Sequence, residues 1–268
     1  MSPLIALLLL AVIQGLTEYL PVSSSGHLAL SRLYLSDENA LPTGAVIEVW
    51  LHLGTLLAVL IFYRKRIVNL AGGVLGKGDE VPEQRRLFSL LILGTIPAGL
   101  VGVLFEEQLN VLFESPVPVG IALLLTGIIL WASRSIPDRQ GDLKRLTITA
   151  ALIIGCVQAL AIAPGISRSG FTIVAGSLLG LSIESAAAFS FLLSIPAILG
   201  AAALRIPKIF TEDGESQVPL LHLFLSFLTA FGVGLAALGM LLWLARSQKL
   251  SWFAPYCWAA GVLAIALS

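Results

Sequence analysis

Two short polar runs stand inside otherwise apolar sequence, and their residue types suit the handling of an anion. The first holds Gln14, Glu18, Ser23, Ser24, Ser25, Gly26 and His27; the second, Pro164-Gly165-Ile166-Ser167-Arg168-Ser169-Gly170, is followed by Thr172. Gln14 and Glu18 are four residues apart, so on a helix they share one face and can hold a common ligand or proton. Ser23 to His27 leads into an apolar helical stretch. Small residues there let backbone N–H groups converge, and a helix N-terminus adds about half a positive charge. The second run repeats this design and adds Arg168, whose planar fork matches phosphate oxygens. Ser-rich turns more often cap or pack helices, so either run alone says little. Two such tips facing each other would clamp a polyanion.

The elements that position these residues must sit in lipid. Of the 268 residues 57% are hydrophobic and 12% charged, which rejects an ordinary soluble domain. The apolar runs exclude disorder, and a formal charge of zero argues against nucleic acid as a partner, which calls for a basic stripe. Cys156 and Cys257 sit in apolar stretches as small hydrophobic residues, with neither a disulfide nor a zinc site expected. No Lys or Arg precedes the apolar run at Leu4, and Gln14, Glu18 and Pro21 interrupt it, so it is expected to stay in the mature protein rather than be cleaved as a signal peptide.

A crossing helix needs about 20 mostly apolar residues. Six stretches qualify: 46–63, 87–105, 117–133, 186–204, 219–245 and 251–268. Two further regions, 3–30 and 147–183, are broken in the middle by the polar runs. Lys and Arg concentrate in the segments 64–86 and 134–146 and at Arg246 and Lys249, which places these inside. The segment 106–116, with Glu106, Glu107 and Glu114, and the segment 205–218, with Arg205, Lys208, Glu212, Asp213 and Glu215, then face outward. Consistency makes each broken region a re-entrant hairpin, the first entering from outside and the second from inside. A shift of 144 residues superimposes Gln14 on Gln158, Ser23 on Ser167, Ser25 on Ser169 and Gly26 on Gly170. The expected fold is therefore an all-α polytopic membrane protein forming one domain over 1–268. It is an inverted-topology repeat of six transmembrane helices and two hairpins, with repeat 1 over about 1–133 and repeat 2 over about 147–268.

An isolated charge at the bilayer centre costs about 2.5–3.5 kcal/mol on insertion scales, so Glu18 needs a partner, and Arg168 is the available one. Such a pair could be a structural tie between hairpins. A site explains the accompanying His27 and hydroxyls as well. Elsewhere, His52 lies one turn from Glu48 and is expected to make a core hydrogen bond. His222 is expected at the interface, Glu184 at a helix start beside Ser182, and most of the Trp residues at span ends as an aromatic belt.

Gln14-Gly15-Leu16-Thr17-Glu18-Tyr19-Leu20-Pro21-Val22-Ser23-Ser24-Ser25-Gly26-His27 and the run from Pro164 to Gly170 resemble the two signature motifs of the bacterial undecaprenyl-diphosphate phosphatases of the bacitracin-resistance type, over essentially the whole chain. The resemblance implies hydrolysis of the terminal phosphate of a C55 isoprenoid diphosphate, recycling the lipid that carries cell-wall precursors. It also implies a divalent cation, Mg²⁺ or Ca²⁺, and a site open to the outer side of the cytoplasmic (inner) membrane. In those terms Arg168 and the tip amides would hold the diphosphate, along with Gln14, Ser23, Ser25, Gly26, Ser167, Ser169 and Thr172. Glu18 and Gln14 would offer metal ligands, with Gln14 neutral where some relatives carry Glu. His27 would move a proton, and Ser24, His27 itself or a water would be the nucleophile. The expected partners are the lipid substrate, the bilayer and a second copy of the chain in a homodimer. One rival is the type-2 phosphatidic-acid phosphatase pattern, suggested by Ser25-Gly26-His27; it needs a second His where Val174 stands and is rejected. The other is a polyprenyl-phosphate transporter or flippase, because facing hairpins are also a transporter plan.

Overall fold

The computed structural model describes residues 2–35, 45–78, 80–137, 139–209 and 218–268. The described chain is helical: α1 Pro3–Tyr19, α2 Ser24–Leu35, α3 Ala45–Phe62, α4 Arg64–Val74, α5 Val81–Leu104, α6 Glu106–Val111, α7 Pro116–Ala132, α8 Ile148–Leu160, α9 Arg168–Leu178, α10 Ile183–Ile209, α11 Leu220–Arg246 and α12 Ala254–Ala266. Among these residues there is no strand, only an isolated bridge between Gly141 and Leu181.

Local chemistry sets the element ends that matter for the site. The side chains of Ser2, Thr147 and Ser167 accept hydrogen bonds from the first turns of α1, α8 and α9, giving orphan N–H groups a partner. Pro21 lacks an N–H and disfavours helix at Leu20, which is extended, so α1 stops there. Gly165, at φ +96°, turns the chain between α8 and α9 in a conformation L-residues avoid.

Among the described residues four helices are long and apolar enough to cross a membrane: Val81–Leu104, Pro116–Ser135, Ile183–Arg205 and Leu220–Arg246. Ile47–Phe62 and Arg64–Val74 qualify together as a pair bent by 81°. The chain is thus a multi-pass helical membrane protein. The final stretch, expected as a span over 251–268, begins as a 3₁₀ turn at Leu250–Phe253 and continues as the 13-residue α12, the two together forming the apolar helical stretch Leu250–Ala266. Pro255 in its first turn explains why the α-helix begins late. The basic segment 64–86, read as loop, contains α4 and the first turns of α5.

Packing comes in matched pairs. α1 lies on α11 as α8 lies on α5; α3 packs on α11 as α10 packs on α5; α7 meets α12 and α3 meets α10. At one end of the bundle Arg86 donates to the carbonyls of Lys144, at 3.1 Å, and Leu146. At that end, too, Lys144 pairs with Glu80, and Arg246 with Glu184 at 2.6 Å. Ser182 Oγ accepts from Ser185 N–H there, capping α10 as expected. Arg134 lies 3.8 Å over the Trp131 ring and Lys249 4.3 Å over Trp252, an aromatic rim with cationic partners. Glu48 near the start of α3 and Arg205 toward the end of α10 mark the opposite end. In the centre, Tyr19 buries its ring edge-on to Phe191 and donates its hydroxyl to the Thr55 carbonyl at 2.5 Å. Of the charged residues expected in the outer segment 205–218, the Lys208 side chain, Glu212, Asp213 and Glu215 lie outside the described residues.

Candidate active site

The two broken regions meet tip to tip. A Cβ built on Gly26 would lie 2.8 Å from both N and Cα of Gly165, so only hydrogen allows the two backbones to touch. Ser23, in the left-handed region at φ 70°, aims its Oγ at both tips: it accepts from Gly26 N–H at 3.3 Å and from Gly165 N–H at 3.0 Å. A non-glycine residue held there stores strain of the kind found at functional sites. The second tip repeats the pattern. Ser167 Oγ accepts from Gly170 N–H at 3.2 Å, and Ser167 and Ser169 hydroxyls lie 3.3 Å apart, as do those of Ser23 and Ser25. Thr126 of α7 anchors this tip, donating to the Gly165 carbonyl at 2.9 Å and accepting from Ser167 N–H at 3.1 Å.

Beside the junction lies a cavity of about 230 Å³. Its polar wall comes from Glu18, Ser23, Ser24, Ser25, His52, Ser167 and Arg168; Phe113, Ile162, Ile166 and the small residues Ala197, Ala201 and Ala202 form an apolar wall. The first turns of α2 and α9 thus both border it, bringing two positive helix ends to one space. Arg168 Nη2 donates to Glu18 Oε1 at 2.6 Å, joining the hairpins across 150 residues of sequence, and Arg168 Nη1 donates to the Ser190 carbonyl at 3.3 Å. The other carboxylate oxygen, Oε2, accepts from Ser24 Oγ at 2.6 Å and from Gln14 Nε2 at 3.1 Å. Glu18 is 8% exposed, so these hydrogen bonds form in a poorly hydrated place.

His27 lies where the sequence did not put it. Its Nδ1–H donates to the Ser23 carbonyl at 2.8 Å, which leaves Nε2 to accept from the Tyr256 hydroxyl at 2.6 Å, and the two rings stack 5.6 Å apart. It faces α12 rather than the cavity, and the partner of Ser24 is Glu18 rather than His27. His52 takes the place beside the carboxylate. Its Nδ1–H donates to the Glu48 carbonyl at 2.8 Å, the core hydrogen bond expected of it, but Nε2 points at Glu18 Oε2 from 3.8 Å and the ring lines the cavity. Glu48 and Arg205 line it as well. The signal for both α3 residues was available: Glu48 and His52 repeat the four-residue spacing of Gln14 and Glu18.

Of the remaining expected residues, Gln14, Gly26, Ser169 and Thr172 support the wall from behind. Ser169 Oγ donates to the Leu20 carbonyl at 3.3 Å, and Thr172 Oγ1 bonds Ser190 Oγ at 2.6 Å. Gln14 is fully buried; its Nε2 donates to Glu18 and, at 3.5 Å, to Thr55 Oγ1, while its Oε1 has no partner. Gln158, its match under the 144-residue shift, is buried with both amide atoms unpartnered and does not line the cavity. As to a cation, the described residues hold no group of three or more His, Cys, Asp or Glu placed to bind one. The orphaned Gln14 oxygen next to the Glu18 carboxylate is nonetheless a hard-oxygen donor set of the type Mg²⁺ and Ca²⁺ take, provided the amide turns over and substrate and water complete the shell.

Fold and site together define a polytopic helical membrane protein with a buried acid–guanidinium–hydroxyl cleft built from two broken helices. The bacitracin resistance protein BacA family model matches residues 7–263, and the chain belongs to that family. It is 38% identical over 268 residues to an undecaprenyl-diphosphatase of Rhodopirellula baltica, covering 100% of this chain and 99% of the relative. It is 42% identical to an undecaprenyl-diphosphatase of Desulfatibacillum aliphaticivorans, covering 94% of each, and 38% identical to one of Methanosphaera stadtmanae, covering 100% and 99%.

Proposed function

We propose that this protein hydrolyses undecaprenyl diphosphate to undecaprenyl phosphate and inorganic phosphate, recycling the lipid carrier of cell-wall synthesis and conferring bacitracin resistance. The observation that carries the reading is the Ser24–Glu18–Arg168 constellation, assembled from both hairpins in a cleft lined by these polar groups and by apolar side chains such as Phe113, Ile162 and Ile166. That lining suits a ligand with a charged head and a hydrocarbon tail. Arg168 is paired with Glu18. A diphosphate offers its fork a better-matched pair of oxygens, and Glu18 is then released to act on Ser24.

In this mechanism Ser24 Oγ attacks the terminal phosphorus while its proton passes to Glu18 Oε2. The Oγ–P bond forms, the bridging P–O bond breaks, and the departing undecaprenyl phosphate takes up the proton from Glu18, restoring the carboxylate. A water that gives its proton to this carboxylate then attacks the phosphoserine; the Oγ–P bond breaks, Glu18 returns the proton to Ser24 Oγ, and inorganic phosphate is released. Arg168 and the N-termini of α2 and α9 stabilise the charge that develops on the phosphoryl oxygens. A divalent cation held by Glu18 and Gln14 would add further neutralisation of those oxygens.

The architecture is read as six spans, α3, α5, α7, α10, α11 and α12, with α1–α2 and α8–α9 as opposed re-entrant hairpins. The matched packing pairs and the repeated serine geometry of the tips support this reading. The basic segments gather at the end away from Glu48 and Arg205, which supports a cleft opening to the outer face of the cytoplasmic membrane. The test is phosphate release from C55 diphosphate by purified protein, with and without chelator. Ser24→Ala should lower the rate at least a hundredfold. No release by the wild type, together with passage of labelled prenyl phosphate across vesicles, would replace the hydrolase with a transporter.

A further inference from the structure

The proposed chemistry leaves a ring nitrogen on the cavity wall unused. His52 of α3 lines the cavity with Glu18 and Ser24, and its side chain keeps 30% exposure, enough for a water to reach it. Its Nδ1–H is committed to the Glu48 carbonyl at 2.8 Å, so the neutral ring presents a lone pair at Nε2. That lone pair faces Glu18 Oε2 from 3.8 Å. Two acceptors do not bond each other, and the separation is in any case too long for a direct hydrogen bond. It does suit one water: an oxygen about 2.8 Å from each atom can donate one hydrogen to the carboxylate and the other to the ring.

Hydrolysis of a phosphoserine needs such a water and dictates where its oxygen enters. In-line displacement brings the attacking oxygen into the place that the bridging oxygen left. Glu18 gives its proton to that departing oxygen, so the place borders the carboxylate. Ser24 Oγ donates to Oε2 at 2.6 Å, and once it carries the phosphoryl group it has no hydrogen to donate, which opens Oε2 to the water. A carboxylate alone holds a water by one hydrogen and lets it turn. A second acceptor fixes its lone pairs toward the phosphorus, and His52 Nε2 stands where that acceptor is required.

We propose that His52 and Glu18 together hold the water that hydrolyses the phosphoserine. One proton of the water passes to Glu18 Oε2 while its oxygen bonds phosphorus; the Oγ–P bond breaks, and Glu18 returns the proton to Ser24 Oγ. The second hydrogen stays on the oxygen, held by His52 Nε2, and leaves with inorganic phosphate. His52 neither gains nor loses a proton. This rests on the hydrolase reading and assigns His52 to its second step alone.

The experiment follows C55 diphosphate, labelled with ³²P in its terminal phosphate, through a single turnover and through steady state on purified protein. Wild type should hold little label. His52→Leu should release undecaprenyl phosphate in the first turnover within about threefold of wild type, yet release inorganic phosphate about a hundredfold more slowly, with label accumulating on the protein. His52→Gln keeps an acceptor at similar reach and should bring phosphate release back to within about tenfold of wild type, with less label. If His52→Leu fails to fold, His52→Asn keeps an N–H for the Glu48 carbonyl without the reach of Nε2, and it should trap label in the same way. A merely structural role would slow both steps together. Equal slowing of the two steps, or no label on His52→Leu and His52→Asn, overturns the assignment while wild type goes on cleaving. Turnover by Ser24→Ala near the wild-type rate removes the phosphoserine and the assignment with it. Wild type that cleaves no diphosphate overturns the hydrolase reading itself, and the assignment falls with that reading.

Discussion

The Glu18–Arg168 pair can be separated into a tie and a catalytic device by replacing both members at once. In Glu18→Leu the Arg168 guanidinium, 16% exposed, loses its carboxylate and keeps only the Ser190 carbonyl at 3.3 Å. Removing one partner of a buried ion pair costs about 3–5 kcal/mol, which for a chain of this size lowers the melting temperature on the order of 10 °C. In the double variant Glu18→Leu/Arg168→Met no buried charge remains. Apolar replacement of both partners is close to neutral, so the residual loss is that of the acceptor used by Ser24 and Gln14, about 1 kcal/mol each. Stability should therefore recover by half or more between the single and double variants. Turnover should not recover: loss of a guanidinium that stabilises a transferring phosphoryl group costs about a thousandfold or more, and the base of Ser24 is gone as well. The assays are thermal unfolding in detergent and phosphate release from C55 diphosphate by the same preparations. A double variant that turns over within about tenfold of wild type would show the pair to be a brace and would refute the catalytic assignment.

Three further perturbations probe the supports of the site. Gly26→Ala places a methyl 2.8 Å from the Gly165 backbone, so the tips must part; we expect about 1–3 kcal/mol of lost stability and at least a tenfold fall in kcat, and a wild-type melt and rate would show that the tips are not held together there. Tyr256→Phe deletes only the hydroxyl that bonds His27 Nε2, and since that bond orients the turn carrying Ser24 it should lower kcat several-fold with little change in KM; an unaltered rate would make the contact idle. Gln158→Leu removes a buried amide with no partner at either atom, and because an unsatisfied buried polar group costs about 1–3 kcal/mol, thermal unfolding should be unchanged or move upward; a clear downward shift would mean the amide is satisfied by ordered water.

The legible part of this molecule is the part written as interruption. Glu18, Arg168 and the serines were conspicuous because polar groups in an apolar run demand partners, and the cost of leaving them unpaired is large enough to predict that distant segments meet. The 144-residue shift reached further, since serines matched in sequence adopt matched hydrogen bonds in the two tips. What stayed hidden is direction. His27 and His52 are the same residue type, each bonded through Nδ1 to the carbonyl four residues before it, yet one faces Tyr256 and the other the carboxylate. Motif membership ranks His27 first, but the rotation of α2 about its axis decides which ring reaches the cavity, and that rotation is fixed by packing against α1 and α7 rather than by anything local. The outer Arg–Glu–Arg cluster was hidden for a related reason. Arg205 reads as one charge in a mixed-charge segment and Arg32 carries no signal of its own, and their shared attachment to Glu48 exists only once α2, α3 and α10 converge. Equivalent sequence positions can therefore carry unequal chemistry: Gln14 supports the carboxylate while Gln158 supports nothing visible, because the residue that matches Glu18 under the 144-residue shift is Ile162 and the second tip brings no acid for Gln158 to hold. The two tips share a serine geometry, and the single site is built from the few positions at which they differ.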